Sequence, residues 1–383
     1  MPRLPAAEEQ AIGTVVTRLR ILALEPYYGG SHRAVLDGLV DHVDADWTLL
    51  TLPPRKWKWR MRGAAITMAE AARELARPDD RAPFDLVFAS TFLNLAEWRG
   101  LAGGALARVP AVVYYHENQL VYPNRHTAEW DLQFPLTNIT TALSAECCVF
   151  NTRWNLDTFV AEIPGFIRQF PDHHPRGVAE RIAAKSTVLA PPFDPTPFDS
   201  APVARSERCR IVWPHRWEHD KNPEEFFSAV SRLAAEGLDF EVAVAGQAFR
   251  ETEETMRQAA EALGDRLVHC DQPADRSEYA QLLASADVAV STAINEFFGI
   301  AMIEACYAGC LPLVPARLAY PEVYGPDRCY RDADELVARL RDAIVHRPEP
   351  MAARALAERY TFERLAPRYA ELFAAVAHGA ARP

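Results

Sequence analysis

Glu296 and Glu304 stand with seven residues between them in NEFFGIAMIEACYAGCLPLV (295–314), with Gly299 between them and a helix expected to begin near that glycine. A carboxylate before the helix and another on its second turn can both face a ligand lodged at the helix N-terminus. There the free N–H groups of Phe298, Gly299 and Ile300 would point at phosphate oxygens. Glycine permits close backbone approach, and a glutamate accepts the two hydrogen bonds that a ribose diol offers. An ordinary amphipathic helix with two solvated glutamates fits the same spacing.

Three further segments carry chemistry. In IVWPHRWEHDKNPEEFF (211–227), Arg216 and Lys221 follow an apolar strand, and two cations in such a loop can neutralise a diphosphate and stabilise it as a leaving group. A mixed-charge surface loop is the plainer alternative, since Glu218, Asp220, Glu224 and Glu225 lie alongside. EPYYGGSHR (25–33) is a turn through Gly29 and Gly30 with Ser31 as the expected helix cap. It is not GxGxxG, so it reads as bare backbone open to a phosphate or sugar, or as a plain tight turn. YYHENQLVYP (114–123) places His116, Glu117, Asn118 and Gln119 at a strand end, a set suited to sugar hydroxyls with His116 near the reacting centre.

LPPRKWKWRMRG (52–63) adds Arg55, Lys56, Lys58, Arg60 and Arg62 with Trp57 and Trp59, in a chain of net charge −11. That acidity argues against non-specific binding to nucleic acid or anionic membrane, yet a local patch of this kind offers phosphate neutralisation and stacking for unpaired bases. The other reading is an extended segment whose basic residues alternate with buried Trp57, Trp59 and Met61. Pro53 and Pro54 make its start a poor helix, which disfavours a membrane-surface amphipathic helix.

Around these sites, 383 residues suit two domains. Apolar runs at 18–25, 46–52, 84–90, 111–116 and 146–150 alternate with helical segments such as 31–43, predicting an α/β domain with a parallel sheet. After the proline-rich 189–202 the pattern restarts, with strands expected at 209–214, 239–246, 265–270, 286–292 and 310–315. The expected division is 1–195, 196–360 and a C-terminal helix 361–383 packing back toward the first domain, with a helix break near Thr361. Two doubly wound Rossmann-like domains would face a cleft, ligands lying at the carboxyl ends of the strands. Residues 1–17 carry no element signal.

The seven cysteines lack a disulfide or zinc spacing and read as reduced core residues; the Asp-x-Asp triplets at 44–46 and 332–334 read as surface, so no metal is expected. Without a signal peptide or an apolar run of membrane length, a cytoplasmic location is expected.

Together the four chemistry-bearing segments resemble the retaining family-4 glycosyltransferases of the GT-B fold, through the Glu296–Glu304 pair, AGCLP (308–312) and the Arg216–Lys221 spacing. A closer likeness covers nearly the whole chain. ALEPYYGGSHRAVLDGL, TLPPRKWKWRMRGAA, YYHENQLVYP, VWPHRWEHDKNPEEFF and NEFFGIAMIEACYAGCLPLVPARLAYPEVYG resemble the tRNA-queuosine α-mannosyltransferase family. That resemblance implies transfer of mannose from GDP-mannose to queuosine at the wobble position of the aspartate tRNA, without an obligatory metal or other cofactor. It implies Glu304 on the ribose, Arg216 and Lys221 on the diphosphate, and Glu296 with Phe298–Ile300 on the mannosyl group and phosphates. His116 would touch the sugar, with Gly29 and Gly30 close by. Arg55, Lys56, Trp57, Lys58, Trp59, Arg60, Glu117 and Asn118 would meet the tRNA anticodon loop. The alternatives are a transferase acting on a lipid, polysaccharide or metabolite, and a catalytically silent binding protein.

Overall fold

Period-two burial divides each central strand between two cores. In β1 (Leu19–Glu25), Ile21 and Ala23 enter one apolar cluster and Leu22 and Leu24 another, so both sheet faces are covered. The computed structural model describes residues 18–76, 83–122, 131–201, 205–246, 253–349 and 351–380; residues 1–17 lie outside them. β1 joins β2 (Ala45–Thr51), β3 (Leu86–Ser90), β4 (Ala111–Tyr115), β5 (Cys147–Phe150) and β6 (Ser186–Val188) in a parallel sheet of order β2-β1-β3-β4-β5-β6. A second parallel sheet contains β7 (Cys209–Trp213), β8 (Phe240–Ala245), β9 (Leu267–Asp271), β10 (Val288–Val290), β11 (Leu311–Pro315) and β12 (Cys329–Tyr330), in the order β12-β11-β10-β7-β8-β9. Each order reverses once, between β1 and β3 and between β7 and β10, and those two points face the cleft. Ten of these strands follow the apolar runs; β6 and β12 are short edge strands with weak patterns of their own.

Two expected local details differ. Ser31 does not cap the first helix, which runs Gly30–His42 with extended Gly29 at the cap position and no side-chain cap; Ser31 is already inside the first turn. The basic stretch is not extended. Lys56 adopts a left-handed conformation and a helix runs Trp57–Leu75, because Pro53 and Pro54 constrain only the approach. From Trp57 onward, good helix formers set Met61, Ala64, Ala65 and Met68 at i, i+3, i+4 and i+7 against the interior.

The chain crosses between lobes twice, and the crossings are bonded to each other. Phe193 N–H donates to the Tyr360 carbonyl at 3.0 Å, and Phe362 N–H to that of Phe193 at 3.3 Å. The helix breaks before Thr361, and the last helix, Phe362–Ala377, returns to the first lobe, where Phe362, Leu365, Tyr369 and Phe373 join the core of Ile21, Val112 and Cys147. The lobes also touch beside the cleft. The Glu322 carboxylate takes the N–H groups of Arg153 (2.8 Å) and Trp154 (2.9 Å) at the start of helix Arg153–Ile167, and Thr152 Oγ1 donates to the Phe297 carbonyl (3.1 Å).

Docking of the last helix depends on Gly38, where an added Cβ would lie 1.9 Å from the Phe362 ring, itself stacked on His42. Gly38→Ala gains about 1 kcal/mol of helix propensity but meets a buried ring that cannot yield. Overpacking of this kind costs about 1–3 kcal/mol, so denaturant unfolding should show net destabilisation and easier proteolysis of the C-terminal helix. An unchanged or raised midpoint would contradict this packing account.

Candidate active site in the interlobe cleft

Because every strand in both sheets is parallel, the loops after β1, β4, β7 and β10 open on one side, and between them lies a cavity of about 630 Å³. Of the residues singled out in the sequence, Gly29, Gly30, Trp57, His116, Glu117, Arg216, Lys221, Glu296, Phe298, Gly299 and Ile300 all line it. Gly29 lets the β1 loop pass Pro54, against which a Cβ would lie at 2.3 Å, so the first lobe's two loops reach the cavity together.

Its floor is ionic. Lys221 Nζ lies 3.1 Å from Asp220 Oδ2 and 3.3 Å from Glu296 Oε2, and donates to the Asn295 carbonyl at 3.0 Å. Burial alone would drive the ammonium toward neutrality, but the Glu296 and Asp220 carboxylates outweigh it and raise its pKa, so Lys221 stays charged. Arg216 is mostly exposed and pairs with Glu218 at 3.3 Å. The imidazole of His215 is buried beside Lys221, neutral because burial, with Lys221 adding, pushes it down to about 3, and its Nε2 has no partner among the described residues.

Gly299 occupies a left-handed conformation (φ 84°) before helix Ile300–Ala308, and an added Cβ would meet the Tyr320 ring at 3.3 Å. The expected free N–H of Phe298 is engaged. Glu296 Oε1 accepts it at 3.4 Å and that of Phe297 at 3.1 Å, because the side chain folds back over the turn it precedes. The Gly299 and Ile300 N–H groups have no acceptor among the described residues. Glu304 departs further from expectation: it does not line the cavity. It follows Ile300 and Ala301 on the same helix face but one turn deeper, buried, with Arg276 Nη2 donating to it at 2.8 Å.

On the first lobe, His116 stacks on His32 with ring centroids 3.9 Å apart, and His32 Nδ1 lies 3.2 Å from Glu25 Oε2. Burial depresses His32, yet attraction and hydrogen bonding to Glu25, with Glu117 beyond, raise its pKa overall; burial and the neighbouring His32 hold His116 well below the usual imidazole range. His116 is therefore the neutral member. Glu25 and His32 were missed in the sequence, although Glu25 ends a strand as His116 follows one. Glu25, His32 and His116 each bring a ligand atom within 4.8 Å of the others. Their arrangement does not suit an ion. Stacked imidazoles direct their in-plane lone pairs apart, and Glu25 Oε1 already accepts from Tyr27 N–H (2.8 Å) and Ser90 Oγ (2.9 Å). All seven cysteines are free.

Asn118 is not a ligand-facing residue. Fully buried, it donates Nδ2 to Asn155 Oδ1 (2.7 Å) and accepts Leu120 N–H (3.1 Å) and Val121 N–H (3.2 Å). Asn155 in turn binds the Tyr115 carbonyl and Asn151, and Asn151 Nδ2 donates to the His116 carbonyl at 2.7 Å. This amide ladder fixes the loop that aims His116 and Glu117 at the cavity; type and position alone could not separate the anchor from its neighbours.

Of the basic stretch, Pro54 and Trp57 line the cavity, while Arg55, Lys56, Lys58, Trp59 and Arg60 lie outside its lining. Trp57 packs tilted against Phe134 with ring centroids 5.0 Å apart, Lys58 Nζ lies 5.8 Å from the Trp57 ring, and Arg60 Nε donates to the Pro53 carbonyl at 3.2 Å. Arg55, Lys56 and Lys58 are exposed, and the Trp59 side is 62% exposed. The face of the same helix that carries Met61, Ala64, Ala65 and Met68 is inside the core, and it presents outward charge, Trp59 and two aliphatic side chains, Ile66 and Leu75.

Two facing parallel α/β lobes, with a cationic loop and an acidic helix start on the second, define a GT-B glycosyltransferase. The fold is shared with sucrose-phosphate synthase from Thermosynechococcus elongatus (TM-score 0.69, 15% identity, covering 95% of this chain and 100% of that one). It is likewise shared with Anabaena HepE in complex with UDP (TM-score 0.67, 15% identity, 93% and 100%). Residues 20–193 match the family described as tRNA-queuosine alpha-mannosyltransferase N-terminal, and residues 198–357 match glycosyl transferases group 1. The chain is 35% identical over 333 residues to the tRNA-queuosine alpha-mannosyltransferase of Drosophila melanogaster, covering 84% of this chain and 85% of the relative. It is 30% identical over 231 residues to a GDP-mannose-dependent alpha-(1-6)-phosphatidylinositol dimannoside mannosyltransferase of Mycobacterium tuberculosis, covering 56% and 57%. This protein belongs to the tRNA-queuosine alpha-mannosyltransferase family.

Asn118→Ala should strand the buried partners of the ladder. Each unsatisfied group costs about 1–3 kcal/mol, so thermal unfolding should be destabilised by at least that amount and activity should fall through the displaced loop. Wild-type stability with altered substrate affinity alone would return Asn118 to the role of a contact residue.

Proposed function

We propose that the protein transfers mannose from GDP-mannose to the cyclopentene diol of queuosine at the wobble position of the aspartate tRNA, with retention at the anomeric carbon. The observation that carries this reading is one cavity with two unlike walls: the Lys221–Glu296 floor on the second lobe and, on the first, Trp57 at the start of a helix whose exposed basic residues flank it in sequence. Arg216 and Lys221 take the diphosphate, the Gly299 and Ile300 N–H groups add donors, and Glu296 meets the mannosyl group. The nucleoside extends along helix Ile300–Ala308, so that its ribose reaches Glu304 one turn beyond the cavity. Neutral His116 touches the sugar. No metal is required, because two side-chain cations and a helix N-terminus balance the diphosphate. Front-face departure of the diphosphate gives retention, and the protein contributes positioning and electrostatic stabilisation.

The Mycobacterium relative's name favours a GDP-mannose donor but carries a lipid acceptor. Against a lipid here, Met61, Ala64, Ala65, Met68, Ala69 and Ala72 of helix Trp57–Leu75 are buried, and its exposed Trp59, Ile66 and Leu75 lie among the exposed charges Lys58, Arg62, Glu70, Arg73 and Glu74. Arg55, Lys56, Trp57, Lys58, Trp59 and Arg60 suit an anticodon loop, whose phosphates and splayed bases need both charge and flat surface. A tRNA acceptor places the activity in the cytoplasm.

The triple reversal Lys56→Glu, Lys58→Glu, Arg60→Glu should weaken tRNA binding at least about tenfold and flatten its salt dependence, since up to three phosphate contacts are lost. GDP-mannose affinity should stay unchanged, and nucleoside mass spectrometry on treated tRNA should show mannosyl-queuosine falling in step. Equal loss of both affinities would count against the assignment of the two walls.

A further inference from the structure

Four carboxylates line the cavity: Glu117, Glu218, Asp220 and Glu296. Three of them have cations within salt-bridge distance, Glu218 with Arg216 and both Asp220 and Glu296 with Lys221. Glu117 has none among the described residues. Its single hydrogen bond is from the neutral amide of Gln119, Nε2 to Oε1 at 2.9 Å, which leaves Oε2 without a partner there. Glu117 follows β4 on the first lobe, beside His116, and the buried amide ladder through Asn118 fixes its backbone. A carboxylate held this firmly, open to the cavity and uncompensated, is a proton acceptor in waiting.

We propose that Glu117 takes the proton of the attacking acceptor hydroxyl, a role that rests on the sugar-transfer reading above. As the acceptor oxygen bonds to the anomeric carbon, the bond from that carbon to the diphosphate oxygen breaks and its electron pair leaves with the diphosphate. The hydroxyl proton passes to Glu117 Oε2 and is released to water after the products depart. No other co-reactant is needed. The departing phosphate is then relieved of acting as the base.

The surroundings favour this role. Burial pushes the Glu117 carboxyl up, opposed by His32, Lys221 and Arg216, with Asp220 adding to the rise; Tyr122 and neutral His116 complete the groups that face it. A carboxylate with a raised pKa is a stronger base near neutral pH. Glu296 and Asp220 are poorer candidates, since each is already paired with Lys221 and Glu296 also accepts the Phe297 and Phe298 N–H groups.

The test uses the full chain, GDP-mannose and queuosine-containing tRNA, with mannosyl-queuosine formation and GDP release followed across pH. In the wild type, turnover should fall as pH drops through an acid limb lying above the usual carboxylate range, because the base works ionised. Glu117→Gln should lower kcat about 10²–10⁴-fold, leave GDP-mannose affinity unchanged and abolish that limb. Glu117→Ala should be partly rescued by added formate, and Glu117→Asp, with the carboxylate retained, should keep the limb at reduced rate. A Glu117→Gln enzyme within threefold of wild-type turnover, or a slow one that keeps the acid limb, would overturn the proposal while the transferase reading stands. A wild-type protein that releases no GDP in response to tRNA would overturn the reading itself and this role with it.

Discussion

The buried ion cluster of Lys221 with Glu296 and Asp220 sets the form of the site. It ties the loop after β7 to the turn before helix Ile300–Ala308, two segments 75 residues apart that meet because β7 and β10 are neighbours. An ammonium this deep would lose its proton without carboxylate company, and the same company keeps it ready for an incoming anion. In the proposed reading a diphosphate would share the positive charge of Lys221 with Glu296, so that binding would reorganise a pre-existing cluster. Arg216, largely in solvent and paired with Glu218, is the cation that in the proposed reading would swing onto the ligand.

The second lobe presents charge and the first presents shape. Glu25 is hydrogen-bonded to His32, which stacks on His116; Asn118, Asn155 and Asn151 hold the loop that carries His116, and Trp57 packs against Phe134. These parts come from four different strand ends, brought together only by a parallel sheet whose carboxyl edges all face one side. The last helix and the paired crossings at Phe193 and Phe362 bind the lobes on the far side, while Glu322 and Thr152 join them beside the cavity. The distance between the walls is thus set by hydrogen bonds as well as by side-chain volume.

Much of this was legible in the sequence because hydrophobic period and strand-end chemistry are local properties. The central strands are apolar on both faces, so their runs stand out, whereas β6 and β12 have only three and two residues and lie at edges. Lys221 and Glu296 were readable from residue type and spacing. What could not be read was direction. Glu304 turns to Arg276 instead of the cavity, Asn118 turns inward beside the cavity-facing Glu117, and Glu296 bends back onto the Phe297 and Phe298 N–H groups; each depends on a partner remote in sequence or on a rotamer. The basic stretch misled for a simpler reason. Its two prolines end before the helix begins, and the core contacts of Met61, Ala64 and Met68 override their local signal.

The most direct measurement is calorimetric titration of GDP-mannose into Lys221→Met, a variant that keeps the side chain's length and removes its charge, with folding verified by circular dichroism. If the cluster anchors the donor, GDP-mannose affinity falls at least about tenfold, a loss of about 1.4 kcal/mol, while tRNA binding persists. Donor binding as tight as that of the unaltered protein would contradict the account at its centre.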